Sequence, residues 1–188
     1  MSGSGFVALL AHPSSANDAV RRVAACVEPA ARDWLRFRYL LEADPERVRV
    51  PPSAAHPGRT DELWAHTCFE AFVGLPQSPR YLELNFSPSG EWAAYRFESY
   101  RAGMVPAGLA AAPRLELRRG GGHFELQAEV CLSGTELAGG RHLRLALSAV
   151  VEDGEGRLSY WALRHAPGRP DFHHPDSFSL GLELPATP

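Results

Sequence analysis

The chain contains no lysine, and all 19 of its basic residues are arginine. That excludes Schiff-base chemistry and a phosphate-loop lysine, both of which need an ε-amine. The richness in arginine, alanine and proline reads as genome bias, so a single arginine carries little information by its presence. Cysteine is scarce. Cys26, Cys68 and Cys131 are odd in number and too widely spaced for a disulfide framework or a CxxC metal pair. Free thiols fit a reducing cytoplasm. The formal net charge of -3 leaves no positive excess for a nucleic-acid or anionic membrane surface. No apolar run approaches a membrane span. The opening MSGSGFVALLAHPSS lacks the basic start and long apolar stretch of a secretory leader. The expectation is a cytoplasmic protein whose partners include neither nucleic acid nor membrane. GxSxG, HExxH, GxGxxG and P-loop sequences are all missing, so catalysis has no motif behind it.

What is present is β-pattern. A length of 188 residues and a hydrophobic fraction of 45% suit one domain, spanning 1–188, with a real core. Short alternating segments are punctuated by Gly, Pro, Asp and Ser. Phe124-Glu-Leu-Gln-Ala-Glu-Val130 alternates most cleanly. Ser87–Gly90 and Asp153–Gly156 read as hairpin turns. Strands are expected at Phe6–Ala11, Trp34–Leu41, Arg47–Val50, Leu63–Val73, Tyr81–Phe86, Trp92–Phe97, Leu115–Arg118, Phe124–Leu132, Leu143–Val151, Leu158–Leu163 and Phe178–Leu184. Asn17–Cys26 fits helix or strand, and Tyr100–Leu109 and Ser133–Leu137 have room for a helical turn. About ten strands at this spacing predict an all-β, two-sheet antiparallel sandwich. Leu35, Phe37, Phe69, Leu84, Phe86, Leu126, Leu145 and Leu147 are its expected core.

One strand face is unusually polar. Alternation groups Trp64, His66, Cys68, Glu70 and Phe72, then Tyr81, Glu83 and Asn85, then Trp92, Ala94, Arg96 and Glu98. If these faces coincide they form a patch of aromatic, carboxylate, amide and guanidinium groups, the composition of a sugar site. Cross-strand Glu–Arg pairing on a solvated face is the plain alternative. A second cluster holds Trp161, His165, Asp171, His173 and His174. Its histidines match no zinc spacing, so no metal site is assigned. His66 with Cys68, or Glu70 with Glu83, are the residues an enzyme would have to use.

Two stretches carry a resemblance. Asp61-Glu-Leu-Trp-Ala-His-Thr-Cys-Phe-Glu-Ala-Phe-Val73 and Tyr81-Leu-Glu-Leu-Asn-Phe-Ser-Pro-Ser-Gly-Glu-Trp-Ala-Ala-Tyr-Arg-Phe97 resemble bacterial DOMON-like proteins. That group is similar to carbohydrate-binding module family 9 and to the cytochrome DOMON domains. The Ser-Tyr-Trp-Ala-Leu and Pro-Asp-Phe-His-His segments fit the same group, so the resemblance runs from about Trp34 to Leu184. It implies a β-sandwich and a ligand-binding ancestry without identifying a ligand, and the leading expectation is a non-catalytic binding role for a carbohydrate or other polar small molecule. In the sugar-binding relatives aromatic side chains sandwich a terminal sugar, and Trp64, Trp92 and Trp161 are the matching resource. In the cytochrome relatives haem b is held by Met and His. Met104 with His165, His173 or His174 would be the analogues, so a haem-binding electron-transfer domain is the alternative implied.

Overall fold

A computed structural model describes residues 5–185, which leaves Met1–Ser4 of the stretch read against a leader outside the described residues. Among these residues there are thirteen β-strands, three short 3₁₀ turns and no α-helix. The strands are β1 (Val7–Ala11), β2 (Val20–Ala31), β3 (Trp34–Ala43), β4 (Val48–Arg49), β5 (Cys68–Gly74), β6 (Tyr81–Phe86), β7 (Trp92–Phe97), β8 (Val105–Pro106), β9 (Arg114–Gly120), β10 (His123–Cys131), β11 (His142–Asp153), β12 (Leu158–Ala162) and β13 (Leu180–Glu183). The 3₁₀ turns are Pro13–Ser15, Leu63–Ala65 and Pro175–Ser177.

All named strand pairs are antiparallel. One sheet runs β1-β2-β3-β10-β9 and the other β12-β11-β5-β6-β7-β8. Strand β1 joins them. Its Val7–Leu9 pair with β2, while Leu10 and Ala11 pair with β12. Strand β11 is twelve residues long and serves two short partners besides β5 and β12: β13 near its start and β4 near its end. The fold is therefore an antiparallel two-sheet sandwich continuous along one edge.

Alternation explains the first sheet. Strand β3 buries Leu35, Phe37, Tyr39, Leu41 and Ala43 on one side and leaves Arg36, Arg38 and Glu42 outside. The hairpin to β2 closes through Asp33 at φ 57°, a conformation Asp tolerates better than most residues. The ambiguous Asn17–Cys26 segment turns through Asn17–Ala19 and runs as β2 from Val20, where Val23, Ala25 and Val27 join the main core. Tyr100–Leu109 holds a turn and β8, and Ser133–Leu137 a run of turns, with no α-helix in either. The eight expected core residues are all essentially inaccessible between the sheets. Tyr39 stacks on Phe69 at 5.0 Å and its hydroxyl donates to the Glu70 carbonyl at 2.7 Å, tying the two sheets together.

The second sheet does not alternate between buried and exposed. Every residue of β5 and of β6 is buried. Its inner side belongs to the main core. Its outer side carries a second apolar cluster of Leu63, Cys68, Phe72, Tyr81, Tyr95, Phe97, Val150 and Phe172, roofed by loops. Sheets covered on both faces lose the polar half of the period-2 pattern.

Two expectations about this sheet need correction. Strand β5 begins at Cys68, so Trp64 and His66 are not on it; Leu63–Ala65 is a 3₁₀ turn entered through Glu62 at φ 62°. Strand β7 is also one residue out of the expected phase. Phe86 pairs with Trp92, Leu84 with Ala94 and Leu82 with Arg96. Trp92, Ala94 and Arg96 therefore lie on the inner-core side, while Tyr95 and Phe97 share a face with Glu83 and Tyr81. A one-residue slip exchanges the two faces of a strand. Five residues, Ser87–Glu91, separate the paired ends, and Gly90 at φ 89° closes the turn.

Candidate functional site

The outer face of the second sheet brings two glutamates together. Glu70 of β5 pairs with Asn85 of β6, and the next rung on the same face pairs Phe72 with Glu83. Glu70 is 3% exposed and Glu83 5%. Asn85 donates its amide to Glu83 Oε1 at 2.8 Å. Glu70 Oε1 is buried without a hydrogen-bond partner, and so is the hydroxyl of Ser148, which faces Glu70 across the β5–β11 ladder. Unpaired buried polar atoms are rare in folded proteins because each costs about 1–3 kcal/mol. Two on one rung mark an unusual place.

Three loops frame it. In the first, Asp61 accepts the Tyr95 hydroxyl and pairs with Arg59 at 2.7 Å. This anchors the turn in which Leu63 is buried and Trp64 stands edge-on to Tyr95 at 5.7 Å. The Asp-x-x-Trp pattern thus builds a turn that positions an indole over the sheet. In the second loop Arg101 has φ 53°, and its backbone N–H donates to the Tyr81 hydroxyl at 3.2 Å. Its guanidinium forks onto Asp171 through Nε at 3.2 Å and Nη2 at 2.8 Å. In the third, His173 inserts among Phe72, Tyr81 and Phe97 with ring centroids 5.0–5.9 Å away. Together these elements enclose a cleft of about 410 Å³, bordered by Trp64, Glu70, Glu83, Phe97, Arg101, Met104, Tyr160, Phe172 and His173. Ligand pockets commonly measure ~300–1,000 Å³.

Burial dominates the electrostatics. It pushes the Glu70 carboxyl well above its ordinary range, and the neighbouring Glu83 charge adds to this. Burial also raises Glu83, against the downward pull of the Asn85 amide and Arg101. His173 falls to about 4, through burial first and Arg101 second. Tyr81 is pushed up to about 12 by burial. The Tyr81 oxygen accepts from Arg101 N–H, so its own proton is best placed on His173 Nδ1, 2.8 Å away. That assigns the Nε2–H tautomer to His173 and turns Nε2 toward Glu83 Oε2 at 3.6 Å.

Of the residues picked from sequence, Trp64, Glu70, Glu83 and His173 line this cleft, with Asn85 directly behind as a carboxylate donor. The others lie elsewhere. His66 is exposed and bonds Glu152 Oε2 at 2.8 Å. Trp92 packs half-buried against the main core. Arg96 is exposed and pairs with Glu98 at 3.2 Å. Trp161 is in the main core and donates to Ser159 at 3.1 Å. His165 bonds the Leu10 carbonyl at 2.8 Å, and His174 caps the last 3₁₀ turn through Nδ1. Asp171 is committed to Arg101 and Tyr100, so the loop histidines and this aspartate do not gather.

The enzyme pair His66 and Cys68 does not form. Cys68 is fully buried, and burial with the Glu70 charge raises its thiol well above the ordinary range, opposite to a nucleophile. A haem ligand set fits no better. Met104 and His173 both line the cleft, but both ring nitrogens of His173 face protein groups, Tyr81 and Glu83. Sequence reasoning missed Arg101, Phe97, Tyr160 and Phe172. No sequence signal would have found them, and Phe97 follows only from the β6–β7 register that pairs it with Tyr81.

A larger hollow of about 670 Å³ lies between Ser14–Asp18 and Asp153–Ser159, with Trp161 alongside. Its polar groups are already engaged. Asp153 accepts the backbone N–H groups of Glu155 and Arg157, Asn17 accepts that of Ala19, and Ser159 donates to the Val151 carbonyl. It offers nothing comparable to Glu70 Oε1.

No protein-family model matches the sequence, and no curated protein matches it. Solved structures do resemble the fold. A candidate carbohydrate-binding protein from Bacteroides uniformis superposes with a TM-score of 0.71 at 16% identity, covering 95% of this chain and 85% of that one. A carbohydrate-binding module of family 9 from Caldicellulosiruptor kristjanssonii, in complex with glucose, gives 0.54 at 12% identity, covering 93% and 81%. A module of the same family and organism, in complex with cellotriose, gives 0.58 at 12% identity, covering 98% and 88%. At such identities the likeness is one of fold, and that fold is one in which carbohydrate-binding modules are built.

Proposed function

We propose that the chain is a non-catalytic binding domain and that the cleft over β5 and β6 takes a carbohydrate. The observation that carries this reading is the pairing of a buried carboxylate oxygen lacking any partner, Glu70 Oε1, with the half-buried indole of Trp64 at the same cleft. Sugars offer apolar C–H faces and hydroxyl edges, so their sites combine flat aromatic surface with directed polar groups. Phe97 and Tyr160 extend the aromatic wall, and Glu70, Glu83 and Arg101 supply the polar side. The fold shared with glucose- and cellotriose-bound modules supports the same reading.

Calorimetry and tryptophan fluorescence with a panel of mono- and oligosaccharides, glucose and cellotriose among them, test it. Saturable binding that Trp64→Ala weakens by about 1–3 kcal/mol is the expected result. Saturable binding that Trp64→Ala leaves untouched would place the ligand at another site. No saturable heat with any sugar would end the carbohydrate reading.

A further inference from the structure

The charge of the cleft is unbalanced. Glu70 enters from β5 and Glu83 from β6, both nine-tenths buried or more. Arg101 reaches the same space, but Asp171 holds its guanidinium in a forked pair and takes the Tyr100 hydroxyl on its other oxygen. His173 is neutral near pH 7. With both glutamates ionised, Glu70, Glu83 and Asp171 against Arg101 leave two negative charges uncompensated. Elsewhere in the chain buried carboxylates have partners of their own. Glu152 has Arg49 at 2.9 Å, and Asp153 has Arg157 at 2.8 Å. The glutamate pair is the exception, and Glu70 Oε1 and Ser148 Oγ beside it are unpartnered.

The walls suit an organic cation. Trp64, Phe97, Tyr160 and Phe172 border the cleft, and Met104 adds a thioether, 47% exposed at the rim. Aromatic faces attract ammonium groups, most strongly where water is excluded. A neutral sugar would leave the two carboxylates to repel each other or share a proton. A ligand ammonium beside them removes that conflict.

We propose, building on the saccharide reading above, that the ligand is an amino sugar whose free ammonium takes Glu70 and Glu83 as its counter-ions. N-acetylation would abolish the advantage, because an amide carries no charge. Binding then requires the glutamates ionised, so affinity for the amino sugar rises with pH through the range to which burial has raised the pair. The groups facing the pair are Tyr81, Asn85 and Cys68 on the strands, Arg101 and His173 on the loops, and Tyr39 from the opposite sheet. His173 titrates near 4, and burial pushes Cys68 and the tyrosines up from ordinary values already above those of a carboxyl, so the glutamate pair governs the profile.

The test is calorimetry on the intact chain with glucosamine, N-acetylglucosamine, glucose and cyclohexylamine, at about pH 5 and about pH 7. The expected result is glucosamine binding about tenfold tighter than the two neutral sugars at the higher pH. Glu70→Gln, which keeps the shape of the side chain, then removes the preference, bringing the ratio of glucosamine to glucose affinity from about tenfold to about one. Glu83→Gln provides the second variant. Neutral sugars binding as tightly as glucosamine would overturn the proposal and leave the saccharide reading standing. Cyclohexylamine binding with no sugar bound would keep the carboxylates as counter-ions and overturn the saccharide. Silence from all four probes would overturn the amino-sugar proposal and leave the saccharide reading to the oligosaccharide panel above.

Discussion

The two outer faces of this sandwich use the same residue types to opposite effect. On the first sheet Arg36 sits between Glu28 and Glu129, at 3.1 and 2.7 Å, and Arg38 meets Glu125 at 2.6 Å. Each of these groups is about one-fifth to one-third exposed, so water shares the solvation. On the second sheet Glu70 and Glu83 lie under loops, with no arginine of their own and one oxygen unpaired. The first face is a solvated ladder of cross-strand pairs, worth little per pair. The second holds carboxyl groups that the fold leaves short of partners where water is scarce. A binding site has reason to hold polar groups that the fold itself does not satisfy.

What the two faces share is the core between them, and the largest effect is expected there. Phe69 lies inside, stacked on Tyr39 and wholly buried. Phe69→Ala should cost about 3–5 kcal/mol of unfolding free energy in denaturant titrations, irrespective of pH. A loss below about 1 kcal/mol would mean that the sheets do not pack through this ring.

The second effect separates the faces by pH. Burial raises Glu70 and Glu83 above the ordinary 4.5, so between there and the raised values the folded chain keeps protons that the unfolded chain has released. Stability therefore falls as pH rises through that window, and below it the penalty is absent. Glu70→Gln should stabilise the chain at about pH 8 by on the order of 1–3 kcal/mol and do little at about pH 4. Equal effects at both pH values would show that Glu70 is not held in its protonated form by the fold.

Smaller still is the expected contribution of the pair that holds Arg101. Asp171→Asn should cost about 1 kcal/mol, because Asp171 is mostly buried while Arg101 is half exposed. It also frees a guanidinium beside the glutamates, making the cleft resemble the laddered face. Its pH–stability curve should flatten toward that of Glu70→Gln. An unchanged curve would mean that the freed arginine does not reach the pair.

The smallest effect belongs to the ladder. Arg38→Gln should change stability by less than about 1 kcal/mol, and the difference should shrink in high salt. A salt-independent loss of several kcal/mol would erase the distinction between the faces.

Sequence alone determined the class and the core. Alternation in Leu35–Leu41 and in Phe124–Val130 marks the inner face, because half the side chains must avoid water there and half need it. All eight residues read that way as core are buried. Glu70, Glu83 and Asn85 were legible as one face for the same reason, being two residues apart or paired across neighbouring strands. Tertiary structure decided the rest. The phase of β7 depends on a five-residue turn, and the alternation Trp92-Ala-Ala-Tyr-Arg-Phe97 permits either face. Strands β5 and β6 are buried on both sides, which removes the contrast that tells inside from outside. Arg101 and His173 reach the glutamates from loops whose paths are set by contacts distant in sequence, Arg101 N–H with Tyr81 and His173 with Phe72. Periodicity records which way a side chain points along its own strand. It holds no record of which loop folds over that strand, because that contact is made only when the sheet is already assembled.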